Sequence, residues 1–118
     1  MDAIDLRAKA ERLAGPWEPG IVAALDCMQV KLARLEGEFV WHRHANTDEL
    51  FYVLEGRFDM HDRDRVVPVE QGQLVVVPKG VEHRPVAASD CLVMLVEPAD
   101  TMDTGDAGGT RTHRPDWL

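Results

Sequence analysis

The chain has 118 residues, of which 13 are basic and 21 acidic, so its formal net charge is -8. A chain of this length is expected to form one domain with a single core, here residues 1–118. The acidic balance, without any lysine- or arginine-rich run, disfavours nucleic acid and anionic membrane as partners. No apolar run approaches about 18 residues and no signal peptide opens the sequence, so we expect a soluble cytoplasmic protein.

A short N-terminal helix is predicted over residues 1–14. Apolar residues recur there at helical spacing, Asp2 can cap the helix, and the pair Gly15-Pro16 ends it. We expect this helix to have a packing role.

Residues 20–98 alternate short strand-like runs with turn residues every 8–12 positions. The predicted strands are Ile21–Leu25, Val30–Leu35, Phe51–Leu54, Arg57–His61, Val66–Val69, Leu74–Val77, Val81–Ala87 and Cys91–Val96. Glu55-Gly56 is expected to form a tight hairpin, Pro78-Lys79-Gly80 a type I turn, and Ser89-Asp90 a break between the last two strands. This pattern predicts an all-β fold, an antiparallel sandwich or barrel.

The composition changes in residues 99–118, which are rich in Gly and Thr, with Trp117 as the large apolar anchor. Two interpretations stay open. Either this segment is a flexible tail, or Trp117 docks it against the barrel or a partner subunit.

Two cysteines are present, Cys27 and Cys91, and neither has a CxxC partner. We expect both to be reduced and to act as small packing residues.

A candidate metal site lies in residues 37–56, GEFVWHRHANTDELFYVLEG. His42 and His44 are two apart in a strand-like run, so both imidazoles are expected on the same side. Glu49 begins the next run, and a hairpin would place it beside them. Two nitrogens and a carboxylate oxygen form the facial set that binds redox-active metals such as iron.

A fourth ligand is expected from another strand, and three further histidines are available. His83 is the best candidate, because it follows the rigid turn at residues 78–80 and begins a strand-like segment. His61 lies at a hairpin end and His113 lies in the tail, so solvent exposure is expected for both.

Side-chain alternation along the histidine run predicts the walls of the site. Val40 should share the face of the two histidines, while Phe39 and Trp41 should point the other way. Phe51 shares the face of Glu49. The ion is therefore expected in a mainly apolar chamber that suits a small, partly apolar molecule.

These residues resemble the two cupin motifs. The first motif, a glycine, HxH, a glutamate and a glycine, is matched by Gly37, His42, His44, Glu49 and Gly56. The second motif, G-x5-P-x-G-x2-H-x3-N, is matched by Gly72, Pro78, Gly80 and His83. The spacing from Gly37 to His42 is one residue short, and Ala87 replaces the final Asn, which is not a metal ligand in the family. The resemblance spans about residues 29–98.

The resemblance implies a double-stranded β-helix that pairs with a second copy, sheet to sheet, in a homodimer. It also implies a divalent ion, Fe, Mn, Ni, Zn or Cu, held by the four residues His42, His44, Glu49 and His83. Several runs, KLARLEGEFVWHRH and VVPKGVEHRPVA among them, look like small single-domain bacterial cupins loosely labelled mannose-6-phosphate-isomerase-like. That label establishes no activity.

Four ligands on an octahedral ion leave two adjacent positions for water, dioxygen or a chelating substrate. We therefore expect a metal-dependent enzyme for a small organic molecule, with oxygenase chemistry ahead of isomerase or lyase chemistry. Glu49 is expected as a ligand, with a role as base as the second choice. The alternatives are a binding or sensing cupin whose metal only anchors a ligand, and a metal-free sugar-binding cupin.

Overall fold

The computed structural model describes residues 1–118 as one short helix and seven strands. Helix α1 spans Leu6–Ala10. The strands are β1 Gly20–Leu25, β2 Met28–Glu38, β3 Glu49–Glu55, β4 Arg57–Asp62, β5 Val66–Glu70, β6 Leu74–Val77 and β7 His83–Pro98. Every strand pair is antiparallel, which confirms the all-β prediction.

Helix α1 is shorter than the predicted helix of residues 1–14. The Asp5 side chain accepts a hydrogen bond from the Ala8 N–H at 3.1 Å, so Asp5, not Asp2, is the N-cap. After Ala10 the chain tightens, because the Leu13 N–H donates to the Ala10 carbonyl three residues back. A helix of five residues has no stability of its own, so it depends on packing against the sheet.

The 16-residue strand β7 organises the barrel. Its second half lies between β2 and β3 in a sheet of order β1-β2-β7-β3-β6. Its first half pairs with β4, which pairs in turn with β5. The predicted break at Ser89-Asp90 is wrong, because the register shift opposite Leu35–Gly37 takes up the extra residues and the strand continues.

Two turn predictions are also corrected. Strands β3 and β4 do not pair, so Glu55-Gly56 is not a hairpin turn. It connects β3, which lies between β7 and β6, to β4, which pairs with β5 and with the first half of β7. Gly56 has a φ of 85°, and a Cβ there would lie 3.0 Å from the Asp90 carbonyl oxygen, so the passage requires glycine. The Val81 N–H donates to the Pro78 carbonyl, and Gly80 has a φ of 80°, which makes this a type II turn beginning at Pro78.

The core consists of two apolar clusters on the two faces of the sheet. Twelve buried residues fill the inside of the barrel, including Phe51, Val53 and Phe58. A smaller cluster on the outer face contains Leu32 and Leu92, against which α1 and the side chain of Leu118 pack. Helix α1 therefore covers only one end of the outer face.

Residues 99–118 dock on the barrel. The Ile21 N–H donates to the Asp116 carbonyl, and the Leu118 N–H donates to the Ile21 carbonyl, both at 2.9 Å. Trp117 is 58% exposed, so the anchoring side chain is Leu118 and not the predicted tryptophan.

Both cysteines are free, as predicted, but only Cys91 packs in the core. Cys27 is exposed at the turn between β1 and β2, so its predicted packing role is wrong. None of the helices in the structure has the length and apolar character that crossing a membrane requires.

Candidate metal centre

Four side chains with metal-binding atoms meet at one place inside the barrel: His42, His44, Glu49 and His83. Each is at most 7% exposed, and one ligand atom of each lies within 4.8 Å of the others. These are the four residues that the sequence predicted as ligands. His61 and His113 lie outside the cluster.

His42 and His44 lie in an irregular segment between β2 and β3, so the strand predicted for them does not form. The backbones of His42 and His83 instead exchange two hydrogen bonds, of 3.0 and 2.8 Å. The Gly80 N–H donates to the His44 carbonyl at 2.8 Å. These bonds fix the histidine segment against the start of β7 and bring three imidazoles together.

The orientation of two imidazole rings is set by backbone carbonyls. Nδ1 of His42 lies 2.9 Å from the Val40 carbonyl, and Nδ1 of His83 lies 2.8 Å from the Val81 carbonyl. Since a carbonyl only accepts, each Nδ1 carries the proton and donates it, which leaves Nε2 as a lone-pair donor. Both rings are thereby prepared to bind a cation.

Glu49 begins β3, and its carboxylate closes the cluster. Glu49 Oε1 lies 3.3 Å from His44 Nε2 and 3.7 Å from His83 Nε2. All three atoms are buried and lack a hydrogen-bond partner. Buried polar atoms without partners are costly, and a cation between them would satisfy all three. Nitrogen and carboxylate donors suit the divalent first-row metals that the sequence predicted.

The protonation states fit a cation site. Burial, followed by the charge of His83, lowers the pKa of His42 to about 4, so this imidazole is neutral at pH 7. Burial alone would raise the pKa of Glu49, but the neighbouring side chains of Glu97, His44 and His83 outweigh it and lower that pKa well below its ordinary value. A neutral imidazole and an ionised carboxylate are the forms that bind metals.

The cluster borders a cavity of about 40 Å³, which has room for roughly three water molecules. His42 and Glu49 form part of its wall. The remaining lining residues are Trp17, Pro19, Ala33, Leu35, Phe39, Phe51, Pro85, Leu95, Glu97 and Asp103. The chamber is therefore mainly apolar, with two further carboxyl groups.

The prediction that Phe39 points away from the two histidines is wrong. Phe39 lines the chamber, with its ring edge-on to His42 at a centroid distance of 5.4 Å and stacked on Trp17 at 4.7 Å. Trp41 does face outward, with the Arg63 guanidinium 3.8 Å from the centre of its ring. Alternation fails after Glu38 because the chain is no longer a strand there.

Two ionisable residues beside the centre were not predicted from the sequence. Lys31 and Glu97 are 1% and 2% exposed, and Lys31 Nζ lies 2.7 Å from Glu97 Oε1. Burial, followed by the charge of Glu49, raises the pKa of Glu97 above its ordinary value, while Lys31 acts in the opposite direction. Strand period alone could have found Lys31, which shares its face with Ala33 and Leu35.

The docked tail covers one side of the histidine segment. The Arg43 N–H donates to the Asp106 carboxylate at 2.9 Å, and the Asp106 N–H donates to the Arg43 carbonyl at 3.1 Å. Gly105 lies between them with a φ of 53°, and a Cβ there would collide with the Arg43 carbonyl and lie 3.0 Å from the His42 ring. Asp103 reaches the chamber wall. The tail thus packs directly on the centre.

Known proteins share this architecture. The family profile described as Cupin domain matches residues 29–97. A cupin-2 domain containing protein from Shewanella frigidimarina NCIMB 400 is 42% identical, with a TM-score of 0.80 over 81% of this chain and 94% of that chain. Protein NMB1881 from Neisseria meningitidis is 28% identical, with a TM-score of 0.74 over 82% of this chain and 99% of that chain.

A curated relative is the uncharacterized protein YdbB of Bacillus subtilis (strain 168). It is 42% identical over 57 residues, which are 47% of this chain and 50% of that protein, so the chain spans about half the length of this relative. The narrower likeness to the mannose-6-phosphate-isomerase-like group is not confirmed by these proteins. The profile match, in contrast, covers more than half of the chain and contains all four clustered residues, so the protein belongs to the cupin domain family.

Proposed function

We propose that this cupin binds one divalent first-row metal ion and acts on a small organic molecule beside it, by oxygenase-type chemistry. The ligands are His42, His44, Glu49 and His83. The observation that carries this proposal is the convergence of three buried, unpartnered ligand atoms at one point. A bound ion would supply Lewis acidity and, in the case of iron, manganese or copper, redox chemistry.

The charge of the ligand set favours a metal site with exchangeable ligands over a closed structural site. Three neutral imidazoles and one carboxylate leave a divalent ion with a single positive charge, which attracts an anionic or chelating group of the substrate. In six-coordinate geometry four protein ligands leave two positions free. Glu49 is assigned as a ligand, and a role as a base after release from the ion is the second choice.

The chamber favours an oxygenase over a sugar-phosphate isomerase. A phosphate needs convergent cations, which are usually arginine or lysine side chains. The one cation beside this chamber, Lys31, is already paired with Glu97, and the other charged wall residues are acidic. Phe39 and Phe51 provide apolar surface instead. A small, partly apolar substrate fits these walls.

The metal proposal predicts the loss of metal from ligand variants. In Glu49→Gln and His44→Ala, the affinity for Mn²⁺ should fall by more than the roughly 10–100-fold that follows loss of a residue merely supporting a ligand. His61→Ala is the matched control, because His61 lies on β4 outside the cluster. Isothermal titration calorimetry and elemental analysis measure the effect, and equal binding by all four proteins would refute the site.

The activity itself is tested by oxygen uptake. The purified protein, with its native ion identified, should consume oxygen with a catechol, a diketone or a thiol, and Glu49→Gln should not. Zinc in a closed tetrahedral site, without uptake for any of these substrates, would instead support a binding or sensing cupin without catalysis.

We also propose that the protein forms a homodimer through the outer face of its main sheet. On β6, Leu74 and Val76 are 57% and 48% exposed, and they pair with Tyr52 and Leu50 of β3. Strand alternation places all four side chains on the outer face, away from Phe51. Because α1 covers only the other end, these residues form an apolar strip that a second copy can bury.

A further inference from the structure

The buried pair of Lys31 and Glu97 has no place in either cupin motif or in the cluster of four. Both side chains are fully buried, although charged residues leave water only at a large free-energy cost. Replacing such a pair with apolar residues is often neutral or stabilising in other proteins. Stability therefore does not explain why two ionisable side chains are buried beside the chamber.

Glu97 is directly opposite Glu49 in the sheet. Leu50 of β3 pairs with Val96 of β7, and antiparallel register places the preceding residue, Glu49, across from Glu97. Both side chains face the chamber. Directly opposed side chains have Cβ atoms about 4.5–5.5 Å apart, and like charges in this position repel. A proton on one of the two carboxyl groups, or a shared cation, relieves this repulsion.

The two oxygens of Glu97 differ in their surroundings. Oε1 accepts from Lys31 Nζ at 2.7 Å, which anchors the carboxyl group from the β2 side. Oε2 is buried and has no hydrogen-bond partner in the protein. Glu97 thus binds Lys31 with one oxygen and leaves the other unpartnered in the wall that it shares with Glu49.

We propose that Glu97, anchored by Lys31, is a positioning residue for the metal ligand Glu49. It holds the Glu49 carboxylate so that Oε1 faces the Nε2 atoms of His44 and His83. The inference rests on the proposed metal site and adds two residues to it. If the Glu49 carboxylate could rotate freely, Oε1 would no longer stay directed toward the two imidazoles. Metal affinity and coordination geometry therefore depend on Lys31 and Glu97.

The experiment compares the wild-type protein with the double variant Lys31→Met/Glu97→Leu and with Glu97→Gln. The double variant replaces both ionisable side chains by apolar ones of similar volume, so its melting temperature should stay the same or rise. Its Kd for Mn²⁺ should nevertheless rise about 10–100-fold, and the visible spectrum of bound Co²⁺ should change. A merely structural pair would change the melting temperature without moving the Kd or the spectrum.

The matched control is the pair Arg34 and Asp90, which joins the same two strands at 2.8 Å outside the chamber. Arg34→Met/Asp90→Asn should bind Mn²⁺ like the wild-type protein. Glu97→Gln keeps an oxygen for Lys31, so it decides the question if the double variant does not fold, and it should also weaken Mn²⁺ binding.

The outcomes separate this inference from the proposed function. Unchanged Mn²⁺ affinity and an unchanged Co²⁺ spectrum in Glu97→Gln and in a folded double variant overturn the positioning role and leave the metal site intact. A wild-type protein that binds neither ion overturns the metal site, and the positioning role with it.

Discussion

The buried imidazole of His42 should make the stability of the protein depend on pH. Its pKa in the folded protein is about 4, below the value of 6.5 expected in the unfolded chain. As the pH falls below about 6.5 the unfolded chain takes up the proton first, so stability is lost down to about pH 4. Between pH 7 and pH 5 this group alone should cost about 2 kcal/mol.

This prediction is checked by urea unfolding of the chelator-treated protein at the two pH values. His42→Gln lacks the titrating group, so its loss of stability between pH 7 and pH 5 should be smaller than that of the wild type by the same amount. Comparing the two proteins cancels the contributions of other groups, such as Glu97. Identical pH dependence in both proteins would contradict the prediction.

The residues of the cluster could be predicted because their types and spacing carry the chemistry. Two imidazoles and a carboxylate in one short segment, and a histidine after a rigid turn, indicate a common centre before any fold is known. Phe39 could not be placed, because alternation holds only inside a strand and β2 ends at Glu38. Glu97 could not be connected to Glu49, because the register between β3 and β7 is a long-range property.

At the scale of elements, the docked tail is the segment whose role is easiest to test. Gly105 has a φ of 53°, and a Cβ would collide with the backbone of Arg43. Gly105→Ala should therefore lose more than the about 1–2 kcal/mol of a left-handed residue, because residues 103–107 must also move. Thermal unfolding measures the loss, and trypsin should cleave the variant faster after Arg111.

Gly108→Ala distinguishes the cost of the left-handed backbone conformation from the cost of the steric collision with Arg43. Gly108 has a similar φ, 59°, but nothing lies within 4 Å of the position of its Cβ. This control should show only the conformational cost and the trypsin sensitivity of the wild type. Equal behaviour of the two variants would mean that the tail does not pack on the histidine segment.

The elements themselves were predicted unevenly from the sequence. Period-two runs located the strands, since inward positions such as Phe51 and Val53 alternate with outward ones. The sequence predicted a turn at Gly56 but not the kind of connection that it makes. A positive φ is equally suited to a hairpin and to a connection between strands that do not pair. The helix was predicted too long because Leu13 still packs on the outer cluster at helical spacing, although its N–H already bonds three residues back, to the Ala10 carbonyl.

At the scale of the whole molecule, the proposed dimer should be weakened by a charge placed in the apolar strip but not by the same charge placed elsewhere on the surface. Val76→Lys would bury an ammonium group in the interface, so the dimer dissociation constant should rise at least about tenfold, which corresponds to about 1.4 kcal/mol. Val66 on β5 is similarly exposed but lies outside the apolar strip, so Val66→Lys is the control. Light scattering over a dilution series distinguishes the two, and a wild type that is monomeric throughout would refute the dimer.

β7 is the last strand of the 118 residues, and β2, β3 and β4 all bond to it. During synthesis on the ribosome those three strands emerge before their common partner, with unpaired edges open to other nascent chains. His83 is also the last of the four clustered residues to appear. The nascent chain therefore carries unpaired strand edges until β7 emerges, and the four clustered side chains can converge only from that point on.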